Sequence, residues 1–341
     1  MNRQPVFSVI VVNYNGLCHL QECLDSLRAQ TFRDFEIIFV DNASSDGSVE
    51  FVTNNFTEIK VIRNEKNLGY GGGNNTGIRS AEGKYIVLLN NDTKVDPDWL
   101  GMLFGAAEKD EGIGMCASKI LNYYRPGIID NTGLLLYRDG VARGRGRLER
   151  DAGQYDSEDE VFFPSGCAGL YRKDMLNEIG PLDEDFFLYV EDVDIGLRAR
   201  LAGWRCVYVP RAVVYHKYSA TTEAYSPLKA YLVERNRIWV MMKCFPLGMI
   251  ATSPGYTLLR YLLQGYGVLT GRGASSRIVR SYSVWEALKI LMRSYSSAFL
   301  GCGIMLRKRR EIMRQKKVSG GDIADWFRRF GISSREVALK E

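Results

Sequence analysis

Three places in this 341-residue sequence gather side chains able to do chemistry. The first is Asn90, Asn91 and Asp92, which close the unbroken apolar run from Ile86 to Leu89. Such a run marks a strand buried on both faces, and a carboxylate set where a central strand emerges suits a divalent metal. The same three residue types also turn a chain well, so a plain turn is the competing reading. The second place is Glu191 and Asp192, with Asp194 just beyond. Adjacent carboxylates repel, which can tune one of them as a base, whereas Asp194 has an ordinary partner in Arg198, one helical turn away. The third is His216, which ends an apolar segment and is either structural or a nitrogen ligand to a metal. The other histidine, His19, sits beside Leu20 on a predicted helix and reads as structural or surface.

Strands and helices in alternation must position these groups. Phe7 to Val12, Phe35 to Val40 and Lys60 to Ile62 read as strands, while Leu20, Cys23, Leu24 and Leu27 fall at helical spacing and 48–56 looks helical. This β-α-β-α-β order predicts an α/β fold, a mostly parallel sheet with helices on both faces and three loops along one edge. On that edge Asp41 can accept hydrogen bonds from a base N–H or a ribose hydroxyl. The run 67–77, with glycines from 69 to 73, reads as a loop that lets backbone approach a ligand, or as a plain connection. It is neither a Walker A nor a G-x-G-x-x-G after the first strand, which argues against a P-loop or an NAD site.

Composition narrows the class. A 46% hydrophobic and 25% charged share is that of a globular protein, and a net charge of +5 is too small to argue for nucleic acid. Seven scattered cysteines form no C-x-x-C pair, against a zinc site or disulfide framework and for a reducing compartment. The apolar run from Val6 to Val12 leads into Asn13 and reads as a strand, not a signal peptide.

The stretches Ser8 to Asn15, Val40 to Ser48, Asn67 to Gly77 and Leu88 to Thr93 together resemble the nucleotide-binding half of family-two glycosyltransferases, especially the bacterial rhamnosyltransferase-like branch. Ser165 to Gly169, Gly180 to Phe187, Glu191 with Asp192, and His216 match the acceptor half in the same order. The resemblance implies a GT-A fold and an inverting transfer of a hexosyl group, rhamnosyl among the candidates, from a UDP- or dTDP-sugar to a glycan or lipid-linked acceptor. It implies that Asp41 reads the nucleobase, and that Asn13, Ser44, Asn67, Gly69, Asn75 and Asn91 line the nucleotide pocket. Asp92 would hold a divalent cation (Mn or Mg) with His216, and Asp192, beside Glu191, would supply the base. One position departs from the family's D-x-D: Asn90 replaces the first aspartate, a weaker neutral ligand. The alternatives are a sugar nucleotidyltransferase and a non-catalytic binding scaffold.

Beyond the first 120 residues, Ile113 to Leu121 and Gly133 to Tyr137 read as strands, and 143–160 as a mobile charged loop. The catalytic domain is expected to span 1–226, with its acceptor half over 121–226. From 227 to 341 the chain turns helical, aromatic and basic. No clean membrane span is legible, but helices of this kind can lie on an anionic bilayer, implying a cytoplasmic enzyme peripheral to the membrane. A soluble helical appendage or a homodimer surface is the other reading.

Overall fold

The computed structural model describes residues 4–217, 226–281 and 283–340. The chain forms two compact units, one from Met1–Gly133, Gly144–Ala199 and Trp204–Thr221, the other from Leu134–Arg143, Arg200–Gly203 and Thr222–Glu341.

In the first unit the apolar runs become strands and the periodic segments become helices. The order is β1 (Phe7–Asn13), α1 (Leu17–Arg28), β2 (Phe35–Asp41), α2 (Ser48–Asn55), β3 (Lys60–Arg63), α3 (Gly69–Ser80) and β4 (Tyr85–Asn90). β1 pairs in parallel with β2 and β4, and β2 with β3. Helix α1 buries Leu20, Cys23, Leu24 and Leu27. Each buried leucine there is worth roughly 1.5–3 kcal/mol relative to exposure. The chain continues through β5 (Thr93–Val95), α4 (Trp99–Ala107), β6 (Ile113–Asn122) and β7 (Arg125–Asn131), passes through β8 (Leu134–Leu136) and β9 (Ala142–Gly144), which belong to the second unit but for Gly144, and returns in β10 (Asp159–Val161), β11 (Ala168–Arg172), α5 (Lys173–Ile179), α6 (Glu191–Leu201) and β12 (Arg205–His216). Among the described residues ten strands form one mixed sheet in the order β10-β12-β6-β11-β4-β1-β2-β3, with β5 on β12 and β7 on β6, while β8 and β9 pair separately. Antiparallel β11 joins the parallel half to β6, which runs parallel to β12.

Two expectations need correction. The glycine run is a helix from Gly69, not a loop, because its small residues let α3 press onto β1: a methyl at Gly77 would meet Ile10 at 2.6 Å and one at Gly73 would meet Val12 at 2.7 Å. The segment 143–160 is tied down at both ends, by β9 and β10, and two of its arginines are paired with acids: Arg145 with Asp159 at 3.2 Å and Arg147 with Asp130 at 2.7 Å. Strand β12 runs from Arg205 to His216, with its register shifted between Val209 and Val213.

The second unit is helical: α7 (Pro227–Cys244), α8 (Leu247–Thr270), α9 (Gly273–Ser281), α10 (Val284–Leu300), α11 (Cys302–Gln315), α12 (Gly320–Arg329) and α13 (Ser334–Leu339). Ser226 caps α7 ahead of Pro227, and serine capping boxes open α10, α12 and α13. At its centre two buried arginines meet two buried acids. Arg260 bridges Asp139 at 2.6 Å and Glu234 at 2.8 Å, and Arg237 bridges Glu234 at 2.6 Å. Losing any one member would strand a buried charge, a change that typically costs ~3–5 kcal/mol.

Candidate active site

Sheet register lines up the first set of side chains. Asn13 lies opposite Asp41, and Val12 opposite Asn90, so the carboxyl ends of β1, β2 and β4 meet at one level. Asn13 is the hub. Its amide donates to Asp41 at 3.3 Å and to the Ser44 hydroxyl at 3.1 Å, while its oxygen accepts from the Asn91 amide at 2.7 Å. The other Asp41 oxygen accepts the Ser44 N–H at 2.9 Å. Asn13, Asp41, Ser44 and Asn91 thus form one network at the strand ends, where α/β sheets bind ligands. Asn67 takes the Gly69 N–H at 2.9 Å and so starts α3. Asn75 lies away from the network: its side-chain NH2 donates to the Leu182 carbonyl and to Glu184, each at 2.9 Å, and its oxygen accepts the Leu182 N–H at 3.1 Å.

One residue beyond Asn91, the buried Asp92 faces His216, with Oδ1 3.4 Å from Nε2. The other ring nitrogen, Nδ1, lies 2.8 Å from Asp130, whose second oxygen accepts from Arg147. The histidine is thereby held between two carboxylates. Burial lowers its proton affinity, but Cys167 and the hydrogen-bonded Asp130 and Asp92 outweigh that and hold it well above the ordinary imidazole value. Burial pushes the two aspartates up, yet His216 pulls both below the usual carboxylate range, helped at Asp130 by Arg147. Among the described residues no three His, Cys, Asp or Glu side chains form a ready cage. Asp92 and, once Nε2 gives up its proton, His216 would suit a cation that keeps waters and shares a nucleotide's phosphates, the usual mode for small divalent ions. Asp130 would then be the carboxylate that orients the histidine. Sequence reading missed Asp130, since only the β6–β7 pairing carries it to His216. His19, read as structural or surface, lies within electrostatic reach of Asp92 and Lys217.

Across the strand end, Gly166 and Cys167 link this histidine to the acidic pair. Cys167 neighbours His216, and the Gly166 N–H donates to Asp192 at 3.0 Å. The Gly166 carbonyl accepts from the Tyr70 hydroxyl on α3. Glu191 and Asp192 open α6 and differ sharply. Glu191 is buried, its Oε2 has no hydrogen-bond partner among the described residues, and burial followed by the charge of Asp192 pushes it up to about 8. Asp192 is half-buried and its carboxylate accepts N–H groups from Gly166 and from Val193. Burial raises it too, but those donors favour its charged form, so Asp192 ionises first. Asp194 pairs with Arg198 at 2.9 Å, as its spacing predicts. Immediately before this pair, Phe187, Tyr189 and Val190 all have φ between 63° and 73°. For a β-branched valine that is strained backbone, of the kind that collects at functional sites. The Phe187 carbonyl accepts the Tyr70 N–H at 2.7 Å, which docks the strained turn on the start of α3.

The sequence profile described as Glycosyl transferase family 2 matches residues 8–180, more than half of the chain. The chain belongs to that family. Among curated relatives, the N-acetylglucosaminyl-diphospho-decaprenol L-rhamnosyltransferase of Mycobacterium tuberculosis is 28% identical over 244 residues, covering 64% of this chain and 78% of the relative. The uncharacterized protein y4gI of Sinorhizobium fredii is 27% identical over 240 residues, and there the match spans a quarter of the relative's length (25%) and 65% of this chain. Among solved structures, GalNAc-T7 with UDP, GalNAc and Mn2+ superposes with a TM-score of 0.60 at 17% identity, over 77% of this chain and 51% of that one. The likeness shows the GT-A fold. As a family-two glycosyltransferase the chain matches its family from β1 to α5, the stretch that carries the asparagine network, Asp92 and Asp130, while Glu191, Asp192 and His216 lie beyond it.

Proposed function

We propose that this chain is an inverting, metal-dependent hexosyltransferase that uses a UDP- or dTDP-sugar. The reading rests chiefly on the asymmetry of the acidic pair: Asp192 is half-buried and accepts two backbone N–H groups that favour its charged form, while burial pushes its neighbour Glu191 towards the protonated form. Asp192 takes the proton of the acceptor hydroxyl as that oxygen attacks the anomeric carbon. A single displacement inverts the centre, so no second nucleophile is required. Asp41 receives the nucleobase or ribose, and Asn13 fixes the orientation of Asp41, Ser44 and Asn91 around it. Asp92 and His216 would hold the divalent cation, whose charge, when bound, stabilises the departing diphosphate. The Mn2+ and UDP bound by GalNAc-T7 support that choice of cation and donor class.

The rhamnosyltransferase relative supports rhamnose as the first sugar to try and a lipid-linked acceptor as the first acceptor, which would put the enzyme at the cytoplasmic face of a membrane. Calorimetry of UDP, dTDP and GDP with and without manganese, followed by transfer assays, tests the reading. Asp192→Asn should keep donor affinity and lose transfer by at least ~10²-fold, the scale of a general base. Undiminished transfer in that variant would overturn the assignment.

A further inference from the structure

Charge is distributed very unevenly along this chain. Residues 245–317 contain thirteen Lys and Arg against two Glu, whereas the whole chain is only +5, so everything outside that stretch is net acidic. Within it, α8 runs for 24 residues with a single charged side chain, Arg260, and that one is turned inward to Asp139 and Glu234. The outward side of α8 is therefore uncharged, and it bears Leu258, Leu262 and Leu269, the last 88% exposed. Helix α10 buries Ser294 and Ala298 and turns the opposite face outward, with Trp285, Met292 and Phe299 one after another at heptad-like spacing. Trp285 is 75% and Phe299 80% exposed. The polarity of an ordinary surface helix is reversed here.

The two stripes adjoin. The hydroxyls of Tyr261 on α8 and Tyr295 on α10 lie 3.2 Å apart. Leu258 and Leu262 sit within a turn of that tyrosine on α8, and Met292 and Phe299 within about a turn on α10. Helix α11 follows directly, with Arg307, Arg310 and Arg314 exposed.

We propose that the outward faces of α8 and α10, together with the cations of α11, dock this protein onto the surface of an anionic lipid bilayer. The apolar stripes enter the headgroup boundary and the arginines meet the phosphates. Among the described residues no helix is long and apolar enough to cross a membrane, so the helices lie on the surface. Charge selects the bilayer over a second copy of the chain: a symmetric pair would set this cationic segment against itself, whereas anionic headgroups neutralise it. The inference extends the lipid-linked acceptor proposed above, though its observations lie wholly in the second unit.

Flotation of the full chain with vesicles of phosphatidylglycerol and phosphatidylcholine, against phosphatidylcholine alone, is the test. Binding should favour the anionic vesicles by at least tenfold and weaken with salt. Arg307→Glu combined with Arg310→Glu and Arg314→Glu should cost about a hundredfold or more. Leu262→Gln with Phe299→Ser should also reduce binding, and circular dichroism checks that both variants fold. Brominated lipid should quench Trp285, a signal absent in Trp285→Phe. Equal binding to both vesicles, or no binding with a solution dimer that the apolar variants dissolve, would overturn the proposal. Sugar-nucleotide calorimetry on the same samples separates the readings: a chain that floats but binds no donor refutes the proposed reaction and leaves the docking surface standing.

Discussion

The two acidic sites of the first unit treat buried carboxylates in opposite ways. Asp92 and Asp130 share His216 and, at Asp130, Arg147, so both stay charged despite burial. Glu191 receives no such partner and holds its proton, leaving the charge of the pair to Asp192. Burial alone therefore does not fix the state of a carboxylate. The nearest donor does, and it divides the site into a place that keeps negative charge for a cation and a place that accepts one proton at a time.

That contrast can be broken most directly at the acidic pair. Because Glu191 is already neutral at pH 7, Glu191→Gln should lose less than about tenfold in transfer, beside the ~10²-fold or larger loss expected of Asp192→Asn. Equal losses in the two variants would erase the distinction between them.

A smaller effect is expected on the other side of the comparison. Asp130→Asn removes the charge behind His216 without touching its metal-facing nitrogen, and should weaken manganese binding ~10–100-fold with little change in nucleotide affinity measured without metal. Long-range 1H–15N correlation spectra offer a second readout, since the chain has only two histidines. An unchanged His216 ring-nitrogen pattern and unchanged manganese affinity would show that Asp130 does not orient the ring.

The smallest effect is on stability. Burial and the charge of Asp192 push Glu191 up to about 8 in the folded chain, above the 4.5 of the free side chain, so the folded state binds the extra proton between those values. Its contribution is full below the lower value and is lost as pH rises through the higher one. The thermal midpoint should fall by several degrees between pH 6 and pH 9, and Glu191→Gln should flatten that slope. A slope of the same size in the variant would place the titrating group elsewhere.

Much of this arrangement was legible in the sequence, and the gaps have physical causes. The buried strands β1, β2 and β4 announced themselves as apolar runs ending in polar residues, and Asp194 with Arg198 by helical spacing. Asp130 gave no local signal, because β7 opens with Arg125, Pro126 and Gly127 and acquires its meaning only by pairing with β6. Arg147 read as part of a solvated loop since its partner lies seventeen residues away in sequence. Nothing about a valine suggests positive φ, so the turn at 187–190 could not be anticipated from residue types.

The glycine-built α3 limits how this chain can change over generations. Positions 69, 73 and 77 recur once per turn, and a methyl at each would strike a neighbour: the Phe187 carbonyl at 2.1 Å, Val12 at 2.7 Å and Ile10 at 2.6 Å. Gly71, between them, has only ordinary contacts at 3.4 Å or more, whereas a methyl at Gly72 would meet Leu68 Cβ at 2.7 Å. A saturation scan scored on folding alone, with no sugar donor present, should return intolerance at 69, 72, 73 and 77 and tolerance at 71. Heredity here is constrained by the strand beneath, and a lineage can alter these positions only when Val12, Ile10 or the turn at Phe187 alters with them.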